Sequence, residues 1–251
     1  TILHLAVIGK LVSQNNNDES VTLLLDRINK HKTQRVKNKE IQKQIPISTK
    51  TVPNLSIPNS WVFKTLGDIS FVTKLAGFEY SKYIKLKDEG DVPVIRAQNV
   101  RPFTPELKNL KFIDLKTSKL LFRSSLDKKC LLVTFIGSIG DVCLFDKDER
   151  WHLAPNVAKV ETYADLNLKY LNLFMNSPNG REEILKFKKS TAQPSLSMGA
   201  IRQIWVPIPP VEEQNRILKK VDELFNICNQ LKALIVKKEN KQNNLASILI
   251  S

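Results

Sequence analysis

Cysteine, histidine and glycine are scarce in this chain, and none of them is arranged for chemistry. The three cysteines, Cys130, Cys143 and Cys228, form no close pair. That excludes a disulfide framework and points to reduced thiols in a cytoplasm. The three histidines, His4, His31 and His152, lie far apart, and no Cys or His pair has metal-ligand spacing, so no metal is expected. Gly9-Lys10 lacks the preceding glycines of a phosphate loop. Gly137-Ser-Ile-Gly140 is too short for a dinucleotide fingerprint and reads as a tight turn. Glu106-Leu-Lys108 and Asp114-Leu-Lys116 match the tail of a nuclease motif, but such triplets arise by chance in a chain that is 25% charged. No Ser/His/Asp set presents itself. No apolar run approaches the ~18 residues of a membrane span. The first residues lack the charged region, apolar core and small-residue cleavage site of a secretory signal. A binder is expected, with no catalytic residues and no cofactor.

Positive charge is what the chain has in excess. A net charge of +14 and a pI near 9.7 point to nucleic acid, or less often to an acidic membrane surface. Between Arg27 and Lys50 there are eight basic residues and one acid, half of the whole excess. A solvated helix face with a linker and a direct nucleic-acid contact are both readings of that run.

The second asset is a rod. In Trp205-Val-Pro-Ile-Pro-Pro-Val-Glu-Glu-Gln-Asn-Arg-Ile217, a short apolar strand meets Pro209-Pro210 and a helix begins. Proline ends a strand and is tolerated ahead of a helix's first turn. Glu212 and Glu213 then suit the positive end of the helix dipole. Beyond it Ile217, Val221, Leu224, Cys228, Leu231, Ile235, Lys238, Gln242, Leu245 and Leu249 alternate in steps of four and three. This is a coiled-coil seam that needs a partner helix. Lys238 and Gln242 either fix register or mark a stretch open to solvent.

Upstream, Leu3, Ala6, Val7 and Leu11 share a helix face, and Asp18 is the expected N-cap of a second helix striped by Val21, Leu24, Leu25 and Ile28. Pro46, Pro53 and Pro58 mark an extended connector. Strands are expected over 62–69, 92–96, 110–113, 131–136, 141–145 and 157–161, and helices over 166–176 and 181–189. The fold class is α+β: a mixed α/β globular domain with a long C-terminal coiled-coil helix and short N-terminal helices. The expected divisions are 1–50, 51–210 and 211–251.

Taken in order, these segments resemble the specificity subunit of type I restriction–modification systems. The resemblance rests on Leu3-His-Leu-Ala-Val-Ile-Gly-Lys-Leu-Val-Ser-Gln14, Ile57-Pro-Asn-Ser-Trp61, Leu66-Gly-Asp-Ile69 and Val92-Pro-Val-Ile-Arg96-Ala-Gln-Asn99. Phe135-Ile-Gly-Ser-Ile-Gly140, Ser190-Thr-Ala-Gln-Pro-Ser-Leu-Ser197 and Pro209-Pro-Val-Glu-Glu-Gln214 complete it. It implies a target-recognition domain over the major groove of double-stranded DNA. It also implies methyltransferase (modification) and restriction subunits as partners. The family usually carries two recognition domains, and one is visible here. The chain is therefore expected to be either a truncated subunit or a half-length one that pairs with a second copy through its C-terminal helix. A detached recognition region of a self-contained DNA methyltransferase and a coiled-coil protein adaptor are the alternatives.

In that picture Lys and Arg grip phosphates, while Arg, Asn and Gln read base edges. Three segments carry such residues. A turn-rich stretch holds Lys74, Tyr80, Lys82, Tyr83 and Lys85; a second holds Arg96, Gln98, Asn99 and Arg101; a third holds Lys188, Lys189, Thr191 and Gln193. Edge packing is the alternative for the two tyrosines, and a solvated helix end for the two lysines. The subunit interface is expected along Ile217, Val221, Leu224, Cys228, Leu231, Ile235, Leu245 and Leu249.

Overall fold

A computed structural model describes residues 1–45, 51–188 and 195–250, with residues 241 and 243–250 as backbone only. Two short sections of helix come first, α1 (Ile2–Val7) and α2 (Val21–Lys37). Then follow β1 (Val62–Thr65), α3 (Leu66–Ile69), β2 (Ser70–Lys74), α4 (Gly77–Tyr83), β3 (Val92–Ile95), β4 (Lys111–Ile113) and α5 (Leu115–Leu120). The second half holds β5 (Ser125–Leu126), β6 (Cys130–Thr134), β7 (Val142–Phe145), β8 (Trp151–Leu153), β9 (Val157–Thr162), α6 (Leu168–Asn176), α7 (Pro178–Leu185), α8 (Met198–Arg202), β10 (Trp205–Ile208) and α9 (Val211–Ile250).

The strands form three sheets. β2-β9-β6-β7 is antiparallel throughout, and β4-β3-β8-β5 contains one parallel pair, β3 with β8. β1 and β10 pair antiparallel, Val62 opposite Ile208, so the strand that enters the domain closes on the strand that leaves it. The α+β expectation holds.

Local chemistry sets several boundaries differently from the sequence pattern. The strand expected over 62–69 stops at Thr65, because Thr65 and Asp68 form a capping box around one helical turn before the chain resumes as β2. The N-cap of α2 is Ser20, whose hydroxyl accepts from Thr22 N, and not Asp18. α6 and α7 begin at Asn167 and Ser177, whose side chains accept from Lys169 N and Gly180 N. A Cβ at Gly180 would lie 2.0 Å from Phe174 O, so only glycine lets those two helices meet this closely. Gly137 and Gly140 both have positive φ, and Gly140 N donates to Thr134 O at 3.0 Å, which is the expected tight turn between β6 and β7.

α9 is 40 residues long, about 60 Å at 1.5 Å per residue. Its first turns belong to the domain. Ile217 and Val221 are buried in the same apolar cluster as Ala6, Val7, Leu24, Ile28, Trp61, Tyr170 and Val206. They are covered by this chain's own core, so they do not supply a subunit interface as the heptad spacing implies. Leu224 and Cys228 are half-buried, and Leu231 and Ile235 are 53% and 56% exposed. The side chains of Leu245 and Leu249 lie outside the described residues.

Polar groups on the same turns give the rod its bearing. Glu213, fully buried, accepts from Trp61 Nε1 at 2.9 Å and from Gln14 Nε2 at 2.6 Å. Gln214 accepts from Asn167 N at 3.1 Å and donates to Pro209 O at 2.9 Å. Arg216 grips Asp18 through two bonds of 2.6 and 2.8 Å. Trp61 also stands edge-on to Tyr170, whose hydroxyl donates to Pro207 O.

Burial raises the Glu213 pKa above its ordinary value, and the bonds from Trp61 and Gln14 pull it part of the way back. The native state therefore takes up this proton more readily than the unfolded chain. The group's contribution to stability grows as pH falls from neutral through its native pKa, and levels off near the unfolded value of about 4.3. Glu213→Leu leaves two buried donors without an acceptor and is expected to cost at least about 2 kcal/mol in urea unfolding. Glu213→Gln keeps one acceptor for Trp61 and is expected to cost less than half of that. Its deficit against the wild type should be larger at pH 5 than at pH 7; equal deficits at both would contradict the raised pKa.

Candidate nucleic-acid interface

The first predicted segment is not a run of turns. Residues Gly77–Tyr83 form a helix, α4, started by Glu79, whose carboxylate accepts from Ala76 N at 3.0 Å and from Arg123 at 2.8 Å. Tyr80 is half-buried against the cluster that contains Leu75, Ile95, Val100 and Leu126. Tyr83 is 37% exposed, with the Lys82 ammonium 5.1 Å from its ring centre. Lys82 and Lys85 are exposed. Lys74, at the end of β2, is half-buried over the Phe135 ring at 5.0 Å.

The second segment follows β3 as a single 3-10 turn over 97–99. Ala97 packs on the same cluster as Tyr80 and Ile84, so the structure brings the first two segments together. Gln98 is exposed there. Asn99 is not available to a base, which corrects the expectation. It is 1% exposed; its Oδ1 accepts from Arg96 N at 3.1 Å, and its amide donates to Glu106 O at 2.9 Å and Lys108 O at 3.0 Å. Both donors and the acceptor are consumed in holding the 100–110 loop. Arg96 is half-buried and donates to Asn109 O at 2.5 Å, while Arg101 is exposed and faces Glu106 at 3.3 Å.

Of the third segment, Lys188 is exposed at the end of the described stretch. Lys189, Thr191 and Gln193 lie outside the described residues. The chain re-enters with Leu196 N donating to Phe135 O at 2.9 Å, beside the ring that carries Lys74.

Two exposed aromatics escaped the sequence reading. Phe78 and Phe122 are 71% and 69% exposed, and they flank the Glu79–Arg123 ion pair. Nothing in Gly-Phe-Glu-Tyr or Leu-Phe-Arg-Ser separates an outward phenylalanine from a core one; the cap made by Glu79 decides it.

Groups that chemistry would need are engaged elsewhere. The three histidines sit in three places, bonded to Asn179, to Ala164 N, and to Leu153 O with Leu121 O. Burial lowers the pKa of His152 and raises that of both Cys130 and Cys143, the latter to about 12. Glu106 pairs with Arg101, and Asp114 with Lys87 at 2.6 Å. Among the described residues no group of three His, Cys, Asp or Glu is placed to hold a metal, and no helix is long and apolar enough to cross a membrane.

The whole arrangement is a mixed sheet domain closed by β1 and β10 and followed by a 40-residue helix. Residues 58–241 match the family described as the type I restriction modification DNA specificity domain, and the chain belongs to that family. It is similar to the Escherichia coli type I restriction enzyme EcoEI specificity subunit, 28% identical over 99% of this chain and 43% of the relative. It is similar too to the EcoAI specificity subunit of the same organism, 29% identical over 99% and 43%. The chain thus spans less than half the length of these relatives. Two solved structures share its fold. One belongs to work on complex assembly and conformational transition of the type I R-M system, with a TM-score of 0.57 at 14% identity over 90% of this chain and 54% of the other. The second is the HsdS subunit of Thermoanaerobacter tengcongensis, with a TM-score of 0.51 at 13% identity over 85% and 50%.

Proposed function

We propose that this chain recognises a sequence in double-stranded DNA and directs the methyltransferase and restriction subunits of a type I system to it, in the cytoplasm, without catalysing either reaction. The match of residues 58–241 to a DNA specificity family carries the reading. The charge of +14 supports it, as do the two cation-bearing segments that pack on one apolar cluster. In this reading residues 51–210 are the recognition domain, flanked by 1–50 and by the rod of 211–251. Lys74, Lys82, Tyr83, Lys85, Gln98, Arg101 and Lys188 are the DNA-facing candidates, with Lys189, Thr191 and Gln193 beside them in sequence. Arg96 and Tyr80 support the surface from below.

Duplex binding should fall steeply with salt. About five phosphate contacts would give a log–log slope of affinity against salt near −4 to −5. Fluorescence anisotropy with a labelled duplex measures it, and an affinity unchanged between low and moderate salt would contradict the reading.

We further propose that α9 pairs antiparallel with the same helix of a second copy. Leu231, Leu234 and Ile235 are 53%, 62% and 56% exposed in one stripe, and such a stripe is stabilised by removal from water. Pairing would place two recognition domains at opposite ends of one rod, a geometry that sets the spacing of two half-sites. Leu231→Asp with Ile235→Asp should convert a dimer to a folded monomer in sedimentation velocity. A wild-type monomer at tens of micromolar would contradict the pairing.

A further inference from the structure

A cleft of about 280 Å³ lies between the end of α2 and the sheet that contains β2 and β9. Its floor is apolar, made by the buried Ile41 and Phe71, and Phe122 stands at its edge. Most of the charge around it is already matched. Glu161 accepts from Arg35 at 2.7 Å and from Lys159 at 2.8 Å, and Lys159 also donates to Ser125 O. Asp127 accepts from Ser125 Oγ at 2.5 Å and from Arg150 at 3.2 Å. Glu40 is held by Asn38 at 3.0 Å and Arg35 at 3.5 Å, and Arg123 by Glu79.

Two cations are left over. Lys39 and Lys128 line the cleft, are exposed, and have no side-chain hydrogen-bond or ion-pair partner among the described residues. Lys39 also occupies a position that the backbone would give to glycine. α2 ends at Lys37, Asn38 is the C-cap, and Lys39 follows with φ 58°, the left-handed residue that closes the helix. Its N–H donates to Val36 O at 3.1 Å and the next one to Arg35 O at 3.0 Å, so the turn is fully formed. A side chain in that conformation costs about 1 kcal/mol that glycine would not. Lys128 acts on Glu40 through its charge alone, and Lys39 stands in the lining at this backbone cost, so both ammonium groups are open to a ligand outside the fold.

We propose that Lys39 and Lys128 grip the phosphate backbone of the duplex, a contact that extends the recognition surface from the sheet domain onto the end of α2. It rests on the DNA-binding reading above. The duplex is favoured over a small anion because the lining is tied to that surface: Arg123 lines the cleft and is bonded to Glu79 of α4, the helix that carries Lys82. The pair grips without reading sequence, as phosphate contacts do.

The test compares salt titrations of a mixed-sequence duplex for the whole chain and for Lys39→Gly with Lys128→Ala. Each lost phosphate contact should make the log–log slope shallower by about 1, so the double variant should lose about 2. Lys232→Ala with Lys237→Ala, exposed on the rod and off the seam, should leave the slope unchanged. Lys39→Gly alone should weaken binding yet unfold in urea at or above the wild-type midpoint, because it relieves the helix end. A wild-type slope in the double variant, beside steep wild-type binding, would overturn this inference alone. A lowered midpoint for Lys39→Gly would overturn the helix-end argument. A wild-type chain that does not bind the duplex would overturn the DNA-binding reading and this grip with it.

Discussion

The structure depends on one buried carboxylate. Glu213 sits in the first turn of a 40-residue helix and is fully enclosed, with Trp61 from the domain's threshold on one oxygen and Gln14 from the N-terminal segment on the other. A buried charge is tolerated only where donors meet it. The helix therefore has one way to sit. Gln214, Arg216, Ile217 and Val221 follow on the same turns, bonded or packed to Asn167, Asp18 and the core. A rod that is largely exposed from Asp222 to Asn240 is thus clamped at its first turns, and its direction relative to the sheets is set there. In the proposed role, which holds a recognition surface at a fixed distance from something else, that clamp is the part that cannot be loose.

The proposed recognition surface works by the opposite rule. Its segments are short, and their geometry comes from side chains that bond backbone. Glu79 starts α4, and Asn99 holds the 100–110 loop. These residues are spent on support, which leaves Lys82, Lys85, Gln98 and Arg101 to face outward. Such loops can change their outward residues without changing their anchors, the division of labour a specificity domain needs.

How much could be read beforehand follows the range of the interaction. The heptad spacing announced α9 and its length, since periodicity is local. It gave no sign that Ile217 and Val221 face this chain's own core while Leu231 and Ile235 face outward, because a stripe does not name what covers it. The strands at 92–96, 131–136, 141–145 and 157–161 were visible as β-branched runs, and each is found within a residue or two. The Thr65–Asp68 box that cuts 62–69 in two, Ser20 replacing Asp18 as cap, and the helix at 77–83 were misread or missed. In each case a single side chain settles the backbone. Asn99 marks the limit most clearly: an asparagine in a turn beside Arg96 looks like a base reader, and only its three bonds to the backbone of Arg96, Glu106 and Lys108 show it to be a brace.

The most direct measurement is amide hydrogen exchange with and without a saturating mixed-sequence duplex at low salt. The account predicts added protection over residues 77–85 and 96–109 and at the end of α2, with the rod beyond Leu231 unchanged. Protection confined to the rod, or none at the proposed recognition surface while the duplex is bound, would contradict it.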